Sequence, residues 1–259
     1  MKKNVLYSIV FLLFLCTSRT ASESADSVGN FCNNSKNISS STVSANVQSL
    51  LAQLVETTAR NGFASLSYGK GDNTVYGLAQ CRGDVSSKDC SDCVQDAAKK
   101  IGKACPNQAD ARIWYDYCFL RYDTRDFRGE VDTVGILYAN VEDVKDPEYF
   151  KQKLSSIFNK TNSDALVPSN KGLGKAESKI STFVTLYALV QCTRDLPERG
   201  CARCLTTALT NFDGFCDNKK GCRVLYSSCF VRYEEYPFYF PLETQNSNMS
   251  NYVSKVSRP

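Results

Sequence analysis

The 259-residue chain contains no histidine. Without an imidazole it can build no Ser-His-Asp triad, no Cys-His dyad and no histidine-ligated metal site. Long hydrophobic runs are also missing: no segment reaches the roughly 18–20 apolar residues that a membrane-crossing helix needs. Nor does one sign of charge dominate, since 31 Lys+Arg stand against 27 Asp+Glu. Hydrophobic residues make up 42% and charged residues 22%, which describes a globular chain and not a disordered one. What is plentiful is cysteine. Thirteen are present, several times the usage of a reducing compartment, so compartment is the first question.

The N-terminus answers it. Lys2 and Lys3 precede a twelve-residue apolar run, Val5 to Cys16, and a polar, small-residue stretch, TSRTAS. This is the pattern of a secretory signal over 1–22, with Thr20 and Ser22 as the small residues before cleavage. Twelve residues span only about 18 Å as a helix, against a hydrocarbon core of about 30 Å, so the run is too short for an anchor. The polar C-terminus, TQNSNMSNYVSKVSRP, carries no lipid-anchor signal. The expectation is a secreted, extracellular protein without a membrane anchor. Cleavage removes Lys2, Lys3 and Arg19, leaving 28 Lys+Arg against 27 Asp+Glu, a net +1. Nucleic acid as a partner thereby loses its electrostatic motive. Cys16 is lost as well, and twelve cysteines remain to pair.

The chain repeats itself. From Cys81 through Cys90, Cys93 and Cys105 to Cys118 the steps are 9, 3, 12 and 13. From Cys192 through Cys201, Cys204 and Cys216 to Cys229 they are again 9, 3, 12 and 13. Every member is displaced by 111 residues, which marks an internal duplication. Tyr76 falls over Tyr187, Gln80 over Gln191, Arg112 over Arg223, Phe119 over Phe230 and Arg121 over Arg232. Upstream the offset drifts to about 103, where LAQLVETT faces LSSIFNKT, and the stretch TNSDALVPSNKGLGK (161–175) reads as the longer loop that absorbs the drift. The domain reading is therefore a signal at 1–22, units at 26–127 and 132–243, and a disordered tail at 244–259. The join near DTRDFRGEVD is short and charged, so the units are expected to pack together.

Each unit reads as α+β. Val47, Leu50, Leu51, Leu54 and Val55 have helical spacing, as do Phe150, Leu154, Ile157 and Phe158 in a helix from Pro147 to Thr161. A second helix begins near Ser87 in one unit and near Pro197 in the other. FASLSYG, TVYGLAQ, RIWYDYCFLRYD and RVLYSSCFVRYEEY are rich in aromatic and β-branched residues and read as strands. The order helix, hairpin, helix, hairpin predicts an antiparallel sheet covered on one face by two helices.

The CxxC pairs Cys90-Cys93 and Cys201-Cys204 could be redox pairs or half of a zinc site. Their repeat-conforming neighbours and the secreted context favour structural disulfides instead, with no metal and no cofactor. The second unit has no counterpart of Cys32 but gains Cys222, six residues after Cys216. Cys222 is the natural substitute for a lost partner of Cys216, so Cys216-Cys222 and, by the repeat, Cys32-Cys105 are expected. Cys81, Cys90, Cys93 and Cys118 leave three pairings open, and Cys192, Cys201, Cys204 and Cys229 leave the same three.

The spacing C-x8-C-x2-C in both units, followed by the strands CFLRYD and CFVRYE, resembles the ginkbilobin-homologous, or stress-antifungal, domain of plants. Two such domains behind a signal are similar to the plant cysteine-rich repeat secretory proteins. The resemblance covers nearly all of 26–243. It implies a five-stranded antiparallel sheet with two helices on one face. It also implies the pairs Cys81-Cys90, Cys93-Cys118, Cys192-Cys201 and Cys204-Cys229, and secretion to the apoplast. It further implies a mannose site of three residues: an Asn after the first Cys of a unit, an Arg six before its last Cys and a Glu five after that Cys. Here these positions hold Asn33, Arg112 and Asp123, and in the second unit Asn140 (if YANV aligns on FCNN), Arg223 and Glu234. Amide, guanidinium and carboxylate together suit vicinal hydroxyls. Asp123 is one methylene shorter than Glu, and Asn33 heads a glycosylation sequon, as do Asn37, Asn159 and Asn248. The competing reading is that Arg112 and Arg223 pair with nearby acids on a solvent-facing strand. Trp114 reads as core and not as a sugar platform.

The expected function is a non-enzymatic extracellular binding module in plant defence or cell-wall signalling. Its expected partner is a cell-wall glycan or an extracellular protein of the same fold. The alternative is a directly antifungal, mannose-binding, lectin-like protein. A glycosidase would need paired carboxylates, and Asp123 and Glu234 fall in different units.

Overall fold

The computed structural model describes residues 27–240. The signal segment 1–22, the tail 244–259 and the sequon at Asn248 lie outside the described residues.

Helix α1 (Ser41–Asn61) starts where the Ser40 hydroxyl accepts from the Val43 N–H, and it buries Val43, Val47, Leu50, Leu51 and Leu54 along one stripe. In α2 (Ser87–Ala104), Ser86 caps Asp89 in the same way, and Cys90, Cys93, Val94, Ala97 and Ile101 face inward. Helix α3 (Pro147–Leu166) is capped by Asp146, with Pro147 in its first turn. Helix α4 (Glu198–Phe215) follows Pro197, which stands just before the helix and not inside its first turn.

Each helix pair covers one five-stranded antiparallel sheet. The strands of the first unit are β1 (Gly29–Cys32), β2 (Phe63–Tyr68), β3 (Val75–Cys81), β4 (Asp110–Trp114) and β5 (Cys118–Asp123). Those of the second are β6 (Gly135–Ala139), β7 (Leu173–Lys179), β8 (Thr185–Cys192), β9 (Cys222–Tyr226) and β10 (Cys229–Glu234). Spatial order is β1-β4-β5-β3-β2 and, in parallel fashion, β6-β9-β10-β8-β7. The antiparallel α+β architecture inferred from the order of helices and hairpins and from the resemblance is the observed one.

The periodic 3.6- and 2-residue patterns place the cores. In the first unit, α1 and α2 close over Ala79, Ala111, Ile113 and Leu120. In the second, Phe150, Phe158 and Phe212 ring Tyr233 with centroids 5.5–6.2 Å from it. Tyr233 still has a partner for its hydroxyl, which donates to the Lys219 carbonyl at 2.9 Å. Six disulfides staple these cores: Cys32-Cys105, Cys81-Cys90 and Cys93-Cys118 in one unit, Cys192-Cys201, Cys204-Cys229 and Cys216-Cys222 in the other.

One expectation is corrected. The second unit does have the longer connection, 167–172 against Gly62 alone between α1 and β2, but it is narrower than 161–175, because α3 continues to Leu166 before a short 3-10 turn at Pro168–Asn170. The extra turn persists because Thr161 and Ala165 are buried against β7. Gly174 permits that approach, since a Cβ there would lie 1.9 Å from the Thr161 carbonyl oxygen.

Candidate functional site

The two units are joined by hydrogen bonds that obey the 111-residue offset. The Gln80 amide donates to the Cys192 carbonyl at 2.9 Å, and the Gln191 amide donates to the Cys81 carbonyl at 3.4 Å. Reciprocally, the Gln80 carbonyl accepts from the Arg194 N–H at 2.9 Å and that of Gln191 accepts from the Gly83 N–H at 3.0 Å. Two straps cross over. The Gly129 N–H, in the join, reaches Asp195 at 2.9 Å, and the Phe240 N–H reaches Asp84 at 2.7 Å. Asp84 and Asp195, and Gly129 and Phe240, are again 111 apart. The duplicated chain thus makes within itself the kind of two-fold contact that identical subunits make.

On the helix-free face of the first sheet, Arg112 and Arg121 stand directly opposite each other on β4 and β5. Two buried like charges need acids between them. Asp132, from the join, supplies one at 3.1 Å from both guanidinium groups. Arg121 is 1% exposed, with its guanidinium carbon 3.6 Å from the Phe127 ring centroid. Burial, with Arg112 beside it, lowers its pKa to about 10 against the opposing pull of Asp132. Arg112 also donates to the Ser227 hydroxyl at 2.9 Å across the unit boundary, and to Asp110 at 3.3 Å.

Asp110 is the residue that the sequence left unremarked. The structure brings Asn33, Arg112 and Asp123 to one neighbourhood, and Asp110 sits among them. Its Oδ2 accepts from the Asn33 amide at 3.1 Å as well as from Arg112. It lies opposite Asp123 in the ladder, and both carboxylates are buried. Asp123 accepts from the Arg125 N–H at 3.0 Å and is 3.7 Å from Lys36. The arginine is therefore acid-paired, as the competing reading held, but on a buried strand and not on a solvent-facing one.

The second unit arranges the same positions differently. Its Asn140 N–H donates to the Gly221 carbonyl, as the Asn33 N–H does to that of Asp110, so YANV does align on FCNN. Tyr138, Arg223 and Arg232 form one row across β6, β9 and β10, and Asn140 and Gly221, just past the ends of β6 and β9, continue the ladder beside Glu234. Arg223 donates to Asp116 of the first unit at 2.7 Å and lies 4.8 Å from the Tyr138 ring centroid. Its side chain keeps 24% exposure. Glu234 accepts from Arg232 Nε at 2.9 Å, and its other carboxylate oxygen lies over Gly221, where a Cβ would come within 1.8 Å of it. Burial opposes the charge on Arg232, but Glu234, Tyr236 and Asp116 outweigh it and hold the pKa above its usual value. Arg232 stacks on Phe238 at 4.3 Å as Arg121 does on Phe127. At the margins Tyr138 and Tyr236 remain 39% and 43% exposed.

Of the described sequons, Asn37 and Asn159 are exposed, while Asn33 is half-buried. Trp114 is core, and its indole N–H donates to the Tyr226 carbonyl at 3.3 Å. A cleft of about 50 Å³ lies between the units, bounded by Trp114, Phe119, Gln191, Leu225 and Phe230, and is too small for a sugar ring. Among the described residues no helix is long and apolar enough to cross a membrane, and no cluster of three or more Cys, Asp or Glu could hold a metal ion.

A family profile described as salt stress response/antifungal matches residues 31–125 and again 139–236. A cysteine-rich repeat secretory protein of Arabidopsis thaliana, number 55, is 52% identical over 263 residues, covering 99% of this chain and 98% of its own. An antimicrobial ginkbilobin-2-like protein of Castanea crenata is 39% identical over 234 residues, covering 90% of this chain and 97% of its own. Among solved structures, the tandem DUF26 ectodomain of the Arabidopsis thaliana cysteine-rich receptor-like protein PDLP8 superposes with a TM-score of 0.71 at 28% identity. It covers 83% of this chain and 100% of that one.

Proposed function

The chain belongs to the salt stress response/antifungal family, as two tandem copies of its domain, and from that premise we propose a non-enzymatic extracellular binding module whose polyol-binding patch lies on the second unit. Secretion follows from the cysteine-rich repeat secretory family itself. One observation carries the placement. Asn140 and Glu234 flank Gly221, with Arg223 in the adjacent row, so that amide, carboxylate and guanidinium meet around a glycine over which the Glu234 carboxylate lies. An amide and a guanidinium donate, a carboxylate accepts, and a vicinal diol can do both. Tyr138 and Tyr236 add exposed ring surface for the apolar face of a pyranose.

The test is binding of mannose and manno-oligosaccharides to the purified chain. Binding should weaken at least tenfold in Asn140→Ala and in Glu234→Gln. If the unaltered chain binds no glycan but captures a protein from apoplastic extract, the ligand is a protein and this reading of the patch fails.

The chestnut relative's name favours a second reading, direct antimicrobial action. Inhibition of hyphal growth by the purified chain, lost in the same variants, would establish it.

A further inference from the structure

We propose that the groove at the unit boundary that holds the strap Phe238–Phe240 is a peptide-recognition site, closed in cis by the chain's own segment. Its ligand class is an extended peptide with consecutive aromatic side chains. The groove uses none of Asn140, Arg223 and Glu234, so it does not rest on the polyol reading.

Three observations lead there. First, side chains hold the strap by its main chain. The Phe240 N–H donates to Asp84 Oδ2 at 2.7 Å, and the Phe240 carbonyl accepts from Lys175 Nζ at 2.8 Å. The Phe238 carbonyl accepts from the Arg82 guanidinium at 3.2 Å. Arg82 and Asp84 are buried and fix each other through two bonds, at 2.5 and 2.9 Å. The clamp has two walls, since Arg82 and Asp84 belong to the first unit and Lys175 to the second. Main-chain bonds accept any extended peptide, and the pockets beside them select among peptides.

Second, those pockets are aromatic. The Phe240 ring meets Tyr117 edge-on with centroids 5.9 Å apart, and Tyr239 meets Tyr187 in the same way at 6.0 Å. The Tyr239 hydroxyl donates to the Ala176 carbonyl at 2.9 Å. The cations serve twice, with Arg82 lying 5.9 Å from the Phe240 centroid and Lys175 5.3 Å from that of Tyr239.

Third, the two straps of the duplication differ. Phe127, Arg128 and Gly129 of the join stand 111 residues before Phe238, Tyr239 and Phe240. Gly129 reaches Asp195 as Phe240 reaches Asp84. In the join's groove, however, Thr193 replaces Arg82 and, by ladder register, Ser65 replaces Lys175. The join lies between β5 and β6, so the two sheets hold it from both ends. The other strap follows β10, the last strand among the described residues, and its departure unpairs no described strand. The cationic clamps thus occur at the strap that can leave. While in place it competes at an effective concentration of order mM, so a peptide in trans meets a closed groove. The apparent affinity of the unaltered chain falls by the fraction of chains that are open.

The probe is a fluorescent peptide with the sequence of 234–243, EEYPFYFPLE, titrated with the full chain by anisotropy. Phe238→Ala/Phe240→Ala, which loosens the strap, should bind the probe at least tenfold more tightly than the unaltered chain. Adding Lys175→Met should weaken that binding at least tenfold, and so should alanine in the probe at the position of Phe240. A folded double variant that binds no better than the unaltered chain, or that binds equally well with Lys175→Met, overturns the inference. Should circular dichroism show the double variant unfolded, the strap is severed after folding instead, at a protease-recognition sequence inserted between Glu235 and Tyr236. The cut chain should take up the probe in exchange for its strap, and less of it with Lys175→Met. A folded, cut chain that takes up none overturns the inference. Titration with manno-oligosaccharides reads other residues, so a failure of the polyol reading leaves these outcomes unchanged.

Discussion

At the scale of single residues, the arginines show what a motif does and does not carry. Spacing from the last cysteine singled out Arg112 and Arg223, and the structure puts each in a charged cluster on its sheet. It gave no sign of the acids that hold them, because Asp132 comes from the join and Asp116 from the other unit. Asp110 was equally hidden, being one aspartate among many until its register opposite Asp123 is known. Arg121 offers a direct test. Replacing it with Met removes a buried cation and leaves Asp132 with only Arg112. The loss should be about 3–5 kcal/mol in urea unfolding at neutral pH, and a loss below about 1 kcal/mol would mean that the cluster is not a stabilising unit. A second residue-scale test uses Asp96. Its burial works to raise the pKa, but hydrogen bonds from Tyr115 and Lys100 prevail and hold it below the usual range. A carboxylate with a depressed native pKa contributes stability above its unfolded pKa and loses that contribution as pH falls through the native value. Tyr115→Phe should therefore move the Asp96 titration upward in NMR and make acid unfolding begin at a higher pH.

At the scale of elements, helices and central strands were legible because their patterns are periodic and long. Of the edge strands only β2, read from FASLSYG, was legible: GNFC in β1 and GILYA in β6 are short, and β7, LGKAESK, has three charged residues in seven. What fixes them is pairing with β4, β9 and β8, which no local propensity reports. The end of α3 was misjudged for the same reason, since the Ser/Asn/Asp content of 162–164 points to a loop and packing against β7 overrides it. The disulfides carry the element-scale prediction. Cys32-Cys105 ties the edge strand β1 to the end of α2 across a separation of 73, whereas Cys216-Cys222 closes a separation of 6. If constraint of the unfolded chain dominates, removing the first should cost about 2 kcal/mol more than removing the second. Paired Cys→Ser variants compared by denaturant unfolding would measure the difference, and equal costs would point to native-state effects instead.

At the scale of the whole molecule, the duplication determines the mechanics. Because both Gln80 and Gln191 serve one carbonyl and one N–H across the boundary, the units do not hang on a tether. The straps at Gly129 and Phe240 each leave one unit to bond the other, so unit boundaries along the chain are not boundaries in space. The offset already aligned Gln80 with Gln191, yet conservation of spacing within one chain cannot distinguish a core residue from an interface residue. Only the pairing across the pseudo-two-fold does so. If that pairing couples the units, the chain should unfold in one cooperative transition. Gln80→Ala and Gln191→Ala each strand a buried donor and a buried acceptor, at about 1–3 kcal/mol per unsatisfied group. The two single variants should lose similar stability, because they break equivalent bonds. The double variant should show two resolved calorimetric transitions and faster cleavage at Arg125 or Arg128 in the join. A double variant that still melts in a single, merely shifted transition would mean that the straps and the Arg112–Ser227 and Arg223–Asp116 contacts suffice to couple the units without the glutamines.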